Sequence, residues 1–133
     1  HVHQAFTAET VRAARARSPG ARVIVHPESP RDAVREADFH GSTTQLIDDV
    51  RRLPAGQTVF VGTERCLVQR LAAEQAGRVR VIPLVASACP DMASTTLTRL
   101  HALLHQWPDE SVVTVPAAEA REARLALDRM LTL

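Results

Sequence analysis

The sequence contains no lysine, asparagine or tyrosine, and its sixteen basic side chains are all arginine. The lack of lysine excludes a Schiff-base lysine and the lysine of a phosphate-binding loop. A net charge of +1 gives no electrostatic footprint for nucleic acid or for an anionic membrane. No apolar run approaches the roughly 20 residues that a membrane-spanning helix needs. These absences favour an ordinary globular protein with neither nucleic acid nor a membrane as partner.

Cysteine is also scarce, since Cys66 and Cys89 are the only two. Two cysteines cannot form the disulfide framework of a small secreted domain, so we expect a reducing, cytoplasmic environment. The first residues have no signal-peptide pattern, and the sequence begins with His1 instead of Met. We therefore expect a piece of a longer chain. Its 133 residues are the length of one domain with a moderate core.

The spacing of apolar residues predicts strands that alternate with helices. The predicted strands are 22–25, 38–40, 58–61, 79–84 and 112–115, and the predicted helices are 8–17, 31–37, 44–53, 64–76, 95–106 and 117–131. Strands separated by helices of this length indicate parallel β-α-β units with right-handed crossovers. The predicted fold is therefore α/β: a three-layer αβα unit with a short parallel four-stranded sheet, followed by a helix-strand-helix tail.

Short polar loops follow the first four predicted strands. They are His26-Pro27-Glu28, Gly41-Ser42-Thr43, Gly62-Thr63-Glu64 and Cys89-Pro90. In a parallel sheet all four lie at one edge, which is where open α/β sheets bind ligands. Three of the loops lead into helices, whose first turns offer free N–H groups to carboxylate or phosphate. The pattern predicts an anion-binding edge that also carries a histidine, carboxylates and a thiol.

Each of these residues has a structural alternative. His26 and Glu28 also fit the polar end of a strand, where Pro27 forces a turn. Ser42 and Thr43 also fit the N-cap of a helix, for which such residues are preferred. Taken together, the four loops are harder to explain in this way, because every alternative would have to hold at the same edge.

Other ionisable and sulfur-bearing residues carry weaker signals. Cys89 also fits a small buried apolar residue, and Glu64 fits an acid in the first turn of a helix. Cys66 falls within a predicted helix, and we assign it no role. His101 and His105 have the spacing of metal ligands on a helix, but no acid completes a His-Glu-x-x-His pattern. We therefore assign these two histidines to an exposed helix face.

Four motifs occur in an order that resembles a known enzyme family. They are V-H-P-E at 25–28, A-D-x-x-G-S-T at 37–43, V-G-T-E at 61–64 and C-P-D-M-x-x-T-T-L at 89–97. In this order and at this spacing they resemble the C-terminal portion of quinolinate synthase, an enzyme of bacterial NAD biosynthesis. Residues 1–6 resemble the segment that follows the family's second cluster cysteine. The resemblance therefore covers essentially the whole chain.

The resemblance implies a transferase that condenses iminoaspartate with dihydroxyacetone phosphate to give quinolinate. It implies a [4Fe–4S] cluster held by three cysteines, one from each of three similar α/β domains, with the fourth iron position open for substrate. On this basis residues 1–89 are the third αβα domain, and residues 90–133 are a C-terminal segment that packs back on the first domain. The N-terminal domains of the same enzyme, which this sequence lacks, are then its partners.

The resemblance also implies roles for individual residues. Cys89 corresponds to the third cluster ligand, and the family's ligands bind as thiolates. His26 and Glu28 correspond to the catalytic acid–base positions, which must move protons during condensation and dehydration. The implied substrate-binding residues are His3, His26, Glu28, Ser42 and Thr43.

The sequence departs from the family's pattern in three respects. Ser29 stands where the family usually has a cysteine that is not a ligand. Asp91 stands where asparagine is common, and its charge beside Cys89 is expected to shift the cluster potential. Only one of the three cluster cysteines is present, because Cys66 does not match a ligand position. Two hypotheses follow: part of an active quinolinate synthase, or a truncated, inactive α/β domain or small-anion-binding module.

Overall fold

The computed structural model describes residues 1–132 and divides the chain into two compact units. The first unit is His1–Ser94, and the second begins at Thr95. The boundary after residue 89 that the resemblance implies concerns the parent enzyme, and it stays a prediction.

The first unit is built on a four-stranded sheet in the order β2-β1-β3-β4. Its strands are β1 (Arg22–Val25), β2 (Phe39–His40), β3 (Thr58–Gly62) and β4 (Arg80–Pro83). Every neighbouring pair of strands is parallel. The α/β fold with a short parallel four-stranded sheet is therefore confirmed, and the carboxyl ends of all four strands lie at the same edge.

Helices cover both faces of this sheet. They are α1 (Ala8–Arg17), α2 (Arg31–Glu36), α3 (Thr43–Arg52) and α4 (Arg65–Glu74). A 3₁₀ helix (Val2–Ala5) precedes α1, and the short α5 (Pro90–Ala93), which has no buried residue, follows β4. Two apolar clusters, one on each face, form the core. Val23 and Val25 of β1 belong to one cluster and Ile24 to the other, because successive side chains of a strand alternate between faces. The predicted αβα layering follows from this alternation.

The helix starts agree with local sequence signals. Thr7 accepts the Thr10 N–H at the start of α1 at 3.3 Å. Ser42 and Gln45 form a reciprocal capping box at the start of α3, with Ser42 N–H donating to Gln45 Oε1 at 2.8 Å. Such bonds satisfy amides that have no partner within the helix. The capping box fixes the residue at which α3 begins after β2.

Two polar side chains, those of Asp38 and Arg78, connect neighbouring elements on either side of α3. Asp38 accepts a hydrogen bond from the Val23 N–H at 2.7 Å and one from Arg15 Nη2 at 2.8 Å. This ties the residue before β2 to both β1 and α1. At the other end of α3, the Arg78 guanidinium donates to backbone carbonyl groups, which helix ends leave without partners. These are the carbonyls of Val50 at 3.3 Å, Arg51 at 3.0 Å and Leu53.

The second unit contains α6 (Leu97–Gln106) and α7 (Ala117–Leu131). The strand predicted at 112–115 is wrong: the chain there is irregular after a 3₁₀ turn at Asp109–Ser111, and Val113 is 87% exposed. Its β-branched residues suit a strand, but a strand needs a neighbour to accept its hydrogen bonds. Within the described residues the tail is therefore two helices and a connecting segment, instead of helix-strand-helix.

No helix among residues 1–132 combines the length and the apolar character required to cross a bilayer.

Candidate functional site

His3, His26 and Glu28 form a side-chain cluster at the carboxyl edge of the sheet. His3 belongs to the 3₁₀ helix before α1, whereas His26 and Glu28 belong to the loop after β1. His3 Nδ1 lies 3.0 Å from Glu28 Oε2. The imidazole rings of His3 and His26 stack with their centroids 4.1 Å apart and their planes 6° from parallel. The structure thus brings together three of the residues singled out from the sequence.

Buried anchors position His3 within this cluster. Val2 and Phe6, on either side of it in the chain, are both buried in the core. The Ser87 hydroxyl donates to the Val2 carbonyl at 3.0 Å, and the Gln4 side-chain amide donates to the Glu28 carbonyl at 3.3 Å. The 3₁₀ helix is therefore fixed against the loop after β1 by apolar burial and by hydrogen bonds.

Backbone hydrogen bonds fix the loop that carries His26 and Glu28. The His26 N–H donates to the Gly62 carbonyl at 3.0 Å, which extends the β1–β3 pairing by one residue. The Ser29 N–H then closes a turn onto the His26 carbonyl at 3.0 Å. The Glu28 N–H donates to His26 Nδ1 at 3.3 Å. Because of these bonds, the histidine is held at the strand end and the carboxylate reaches across it.

The electrostatic environment of His26 favours its neutral form. Partial burial, which penalises the charged ring, is the main cause that lowers the pKa of His26. Repulsion from His3 lowers this pKa further, and the Glu28 carboxylate opposes the shift in part. A neutral imidazole can accept a proton, so His26 is suited to act as a base.

A cavity of about 480 Å³ opens beside the two histidines. Thr43, the first residue of α3, lines it together with residues from the loop after β3. Ser42 is exposed and does not line this cavity; its hydroxyl accepts the Gln45 N–H at 3.4 Å within the capping box. Of the two predicted carboxylate-binding residues, Thr43 therefore borders the cavity and Ser42 holds the helix start.

A neighbouring cavity of about 310 Å³ connects the cluster with Cys89. His3, Glu28, Cys89 and Asp91 all line it. Cys89 is half-buried immediately before α5, and its Sγ lies 3.9 Å from Asp91 Oδ2. The thiol that the resemblance identified thus shares this cavity with His3 and Glu28, whereas His26 lines only the larger one.

The donor set of this region suits one ligand of an iron–sulfur cluster. Such clusters are held by cysteine thiolates, and Cys89 is a half-buried free thiol at the wall of an open cavity. Cys66 is the other cysteine, and it lies exposed on α4 beside the first cavity. Because the chain has only these two cysteines, it can supply Cys89 but not the three thiolates that a complete site requires.

The cavities are also lined by residues to which the sequence assigned no site role, among them Thr63, Glu64, Arg70 and Met92. Of these four, only Arg70 lies outside the loops and motifs that the sequence singled out. Thr63 is buried, and Glu64 is a buried N-cap of α4 whose carboxylate accepts the Cys66 N–H at 2.6 Å. Glu64 and Met92 border both cavities, and Arg70 borders the larger one. The one available sequence signal for Arg70 was its position, about one and a half turns after the start of α4. It becomes meaningful only once α4 is known to start at the site.

The remaining histidine pair lies elsewhere. His101 and His105 are on α6 in the second unit, with ring centroids 4.4 Å apart. Across residues 1–132, the only group of three or more potential metal ligands within reach of one another is His3, His26 and Glu28. The sequence assignment of His101 and His105 to a helix face without an acidic partner agrees with this arrangement.

These features define an α/β domain whose parallel sheet carries two histidines, a carboxylate and a free thiol at its carboxyl edge, where open α/β sheets bind ligands. Residues 1–132 match the family model described as quinolinate synthetase A protein. The chain belongs to this family.

Curated relatives agree with the family match. The chain is 39% identical over 140 residues to quinolinate synthase of Corynebacterium glutamicum, a match that covers 99% of this chain and 34% of the relative. It is 37% identical to that of Geobacillus kaustophilus and 35% identical to that of Helicobacter pylori, again with 99% of this chain covered. These matches cover 37% and 40% of the two relatives. The chain thus spans between a third and two fifths of the length of these relatives, consistent with one domain of a larger enzyme.

Proposed function

We propose that this chain is the third α/β domain and the C-terminal segment of a quinolinate synthase. The reaction proposed for the whole enzyme is the condensation of iminoaspartate with dihydroxyacetone phosphate to quinolinate, for NAD biosynthesis. The observation that carries the proposal is the His3–His26–Glu28 cluster, of which His3 and Glu28 line the same cavity as Cys89. It occurs in a chain that matches the family along its length.

In this proposal His26 and Glu28 transfer protons. Condensation and dehydration each require a proton to be removed from one atom and delivered to another. His26, whose lowered pKa favours the neutral ring, accepts a proton from the substrate. The Glu28 carboxylate is solvent-exposed and contacts His3, so it can receive protons and pass them on. His3 orients this carboxylate through their 3.0 Å contact and itself touches substrate.

The start of α3 binds a substrate carboxylate. α3 is a ten-residue helix, and the free N–H groups and positive dipole end of its first turn favour an anion. The Thr43 side chain lines the cavity and is placed to donate its hydroxyl proton. Ser42 contributes by holding the helix start through its capping box, and its own hydroxyl still has a proton to donate.

Cys89 is proposed as one thiolate ligand of a [4Fe–4S] cluster, and the other two come from the N-terminal domains of the same enzyme. When bound, a cluster with an open iron position supplies a Lewis acid to the substrate. The Asp91 carboxylate, 3.9 Å from the Cys89 thiol, adds negative charge beside this ligand. Asparagine would not, so Asp91 is expected to shift the reduction potential of the cluster.

The C-terminal segment is proposed to pack on the first domain of the parent enzyme. Its helices and the segment between them expose large apolar side chains, an arrangement typical of a surface that a further domain covers. The most exposed of these are Leu97, Leu104, Trp107, Val113, Met130 and Leu131.

A second candidate concerns the chain on its own: an inactive α/β domain that still binds small anions. The observation that favours it is the presence of a single candidate ligand, Cys89, for a cluster that needs three thiolates. A third of a shared site also has little complementarity to a transition state. The DNA upstream of the codon for His1 discriminates the two candidates. Two further cysteine-bearing α/β units in frame support the enzyme, and an unrelated sequence supports the isolated domain.

Anaerobic reconstitution of the full-length protein with iron and sulfide tests the cluster assignment. Cys89→Ser should abolish the brown cluster absorption, whereas Cys66→Ser should leave both the absorption and quinolinate formation unchanged. An intact cluster in Cys89→Ser would remove Cys89 from the ligand set. A full cluster without quinolinate formation in the unmodified protein would contradict the proposed reaction.

A further inference from the structure

We propose that His3, His26 and Glu28 bind a single divalent transition-metal ion, at a site separate from any iron–sulfur cluster. One ligand atom from each side chain can be chosen so that all lie within 4.8 Å of one another. This proposal does not depend on the reaction proposed above, because it concerns the binding of the ion and not turnover.

The spacing of two of the ligands already suits a shared ion. Zinc binds imidazole nitrogen at about 2.0–2.1 Å and carboxylate oxygen at about 2.0–2.2 Å. Two such bonds at an angle near 90° place their nitrogen and oxygen atoms about 3 Å apart. His3 Nδ1 and Glu28 Oε2 are separated by 3.0 Å. An ion can therefore replace the hydrogen bond between them without moving either backbone.

Binding of one ion by all three side chains requires a side-chain adjustment. Ligands of one ion cannot be separated by more than twice the bond length, about 4.2 Å. The spread of up to 4.8 Å across the three groups is slightly larger. The exposed Glu28 side chain can supply part of this adjustment, whereas His3 is held by its buried neighbours Val2 and Phe6. The His3 and His26 rings stack in planes only 6° from parallel, and an imidazole nitrogen binds a metal in the plane of its own ring, so the His26 ring must turn out of the stack to face the same ion.

The ligand types define the class of ion. Two imidazoles and one carboxylate suit zinc, iron(II), cobalt(II) or nickel(II), and three protein ligands leave positions for water. No thiol belongs to the set, so its chemistry differs from that of a cluster site. The Glu28 side chain is 73% exposed, which gives the ion a path from solvent. An ion bound here occupies both proposed proton-transfer groups, and it would therefore compete with substrate.

Titration calorimetry with Zn²⁺ on the reduced chain tests this proposal. We expect one equivalent to bind, and we expect His26→Gln and Glu28→Gln each to weaken binding by about tenfold or more, the scale on which metal sites respond to lost partners. Glu28 is exposed, so its variant should keep the fold; circular dichroism checks both variants.

Two control variants distinguish this site from other donors. His101→Gln/His105→Gln removes the histidine pair on α6, and Cys66→Ser/Cys89→Ser removes both thiols. Both controls should bind Zn²⁺ as the unmodified chain does. Unchanged affinity in His26→Gln and Glu28→Gln, no measurable binding in the unmodified chain, or loss of binding in either control would overturn the proposal.

Discussion

The imidazole rings of His3 and His26 are stacked nearly parallel, 4.1 Å apart, although 23 positions separate them in the sequence. Repulsion from His3 contributes to the lowered pKa of His26, after the larger effect of burial. Glu28 touches His3 directly, through the 3.0 Å contact of its carboxylate. The pair is therefore asymmetric: one imidazole has a carboxylate partner, and the other is kept neutral beside the cavity.

The first prediction concerns the carboxylate of this cluster. In the full-length protein, Glu28→Gln should keep the brown absorption of the iron–sulfur cluster. It should reduce quinolinate formation by about 10²–10⁴-fold, the usual contribution of a general acid or base. Glu36→Gln is a matched control, because Glu36 forms a surface ion pair with Arg12. It should leave the rate unchanged. Unaltered turnover in Glu28→Gln would remove Glu28 from the mechanism.

The second prediction concerns the close packing at the end of β3. A Cβ atom at Gly62 would lie 2.9 Å from Val25 Cγ1 and 3.2 Å from Leu84 Cδ2. Both neighbours are buried, so they can yield only by disturbing the core. Gly62→Ala should lower the free energy of unfolding by about 1–3 kcal/mol, as overpacking does in well-packed cores. Urea denaturation measures this, and an unchanged midpoint would show that the core accommodates the methyl group.

The third prediction concerns the Arg78 guanidinium, which donates hydrogen bonds to the carbonyl groups at the end of α3. Arg78→Met would leave the carbonyls of Val50, Arg51 and Leu53 without this donor. The expected loss is about 1–3 kcal/mol in the free energy of unfolding. Arg78→Lys should recover only part of it, because an ammonium group cannot reproduce the planar fork.

Arg80→Met is the matched control for this prediction, since Arg80 is exposed on β4 only two residues away. Thermal unfolding ranks the three variants by stability. The control is expected to be as stable as the unmodified protein, Arg78→Lys less stable, and Arg78→Met the least stable. Equal stability of Arg78→Met and Arg80→Met would show that the carbonyls find other donors.

The fourth prediction concerns pH. Burial raises the pKa of Asp38, but hydrogen bonds from Arg15 and from the Val23 N–H outweigh it, so the pKa is lower than in the unfolded chain. The unfolded state then binds more protons in acid, and stability is lost as the pH falls. The stabilisation by Asp38 is fully present above the unfolded pKa of about 3.9, and it disappears as the pH falls through the lower folded value.

Asp38→Asn provides the measurement for this effect. The variant should be less stable than the unmodified protein at pH 7. The difference in free energy of unfolding should shrink as the pH falls below about 4, because the unfolded chain then binds a proton that the folded Asp38, with its lower pKa, does not yet bind. A difference that stays constant between pH 7 and pH 3 would mean that the charge of Asp38 does not stabilise the fold.

The features that sequence predicts well here are local. The capping box of Ser42 and Gln45 is a pattern of four residues, and the buried run of β1 is a pattern of four more. Both can be predicted because their physical causes lie within one turn or one strand. The parallel sheet follows in turn from the alternation of such local elements.

What sequence could not predict depends on neighbours distant in the chain. The segment 112–115 has the composition of a strand but no strand beside it, so it is irregular and exposed. No periodic pattern places His3 against Glu28, and only the family resemblance connected them. Arg70 and Met92 reach the cavities through tertiary packing. Lining residues of this kind are set by how elements pack, which composition does not record.

His3 is carried by a short segment outside the sheet, held by the burial of Val2 and Phe6 and by the hydrogen bond from Ser87. Such a segment can detach while the sheet stays folded, because proteins open locally at free energies below that of global unfolding. Detachment removes His3 and leaves His26 and Glu28 in place. The fraction of molecules in which His3, His26 and Glu28 are all in place is therefore governed by a local opening equilibrium. Amide hydrogen exchange at Phe6 reports this equilibrium.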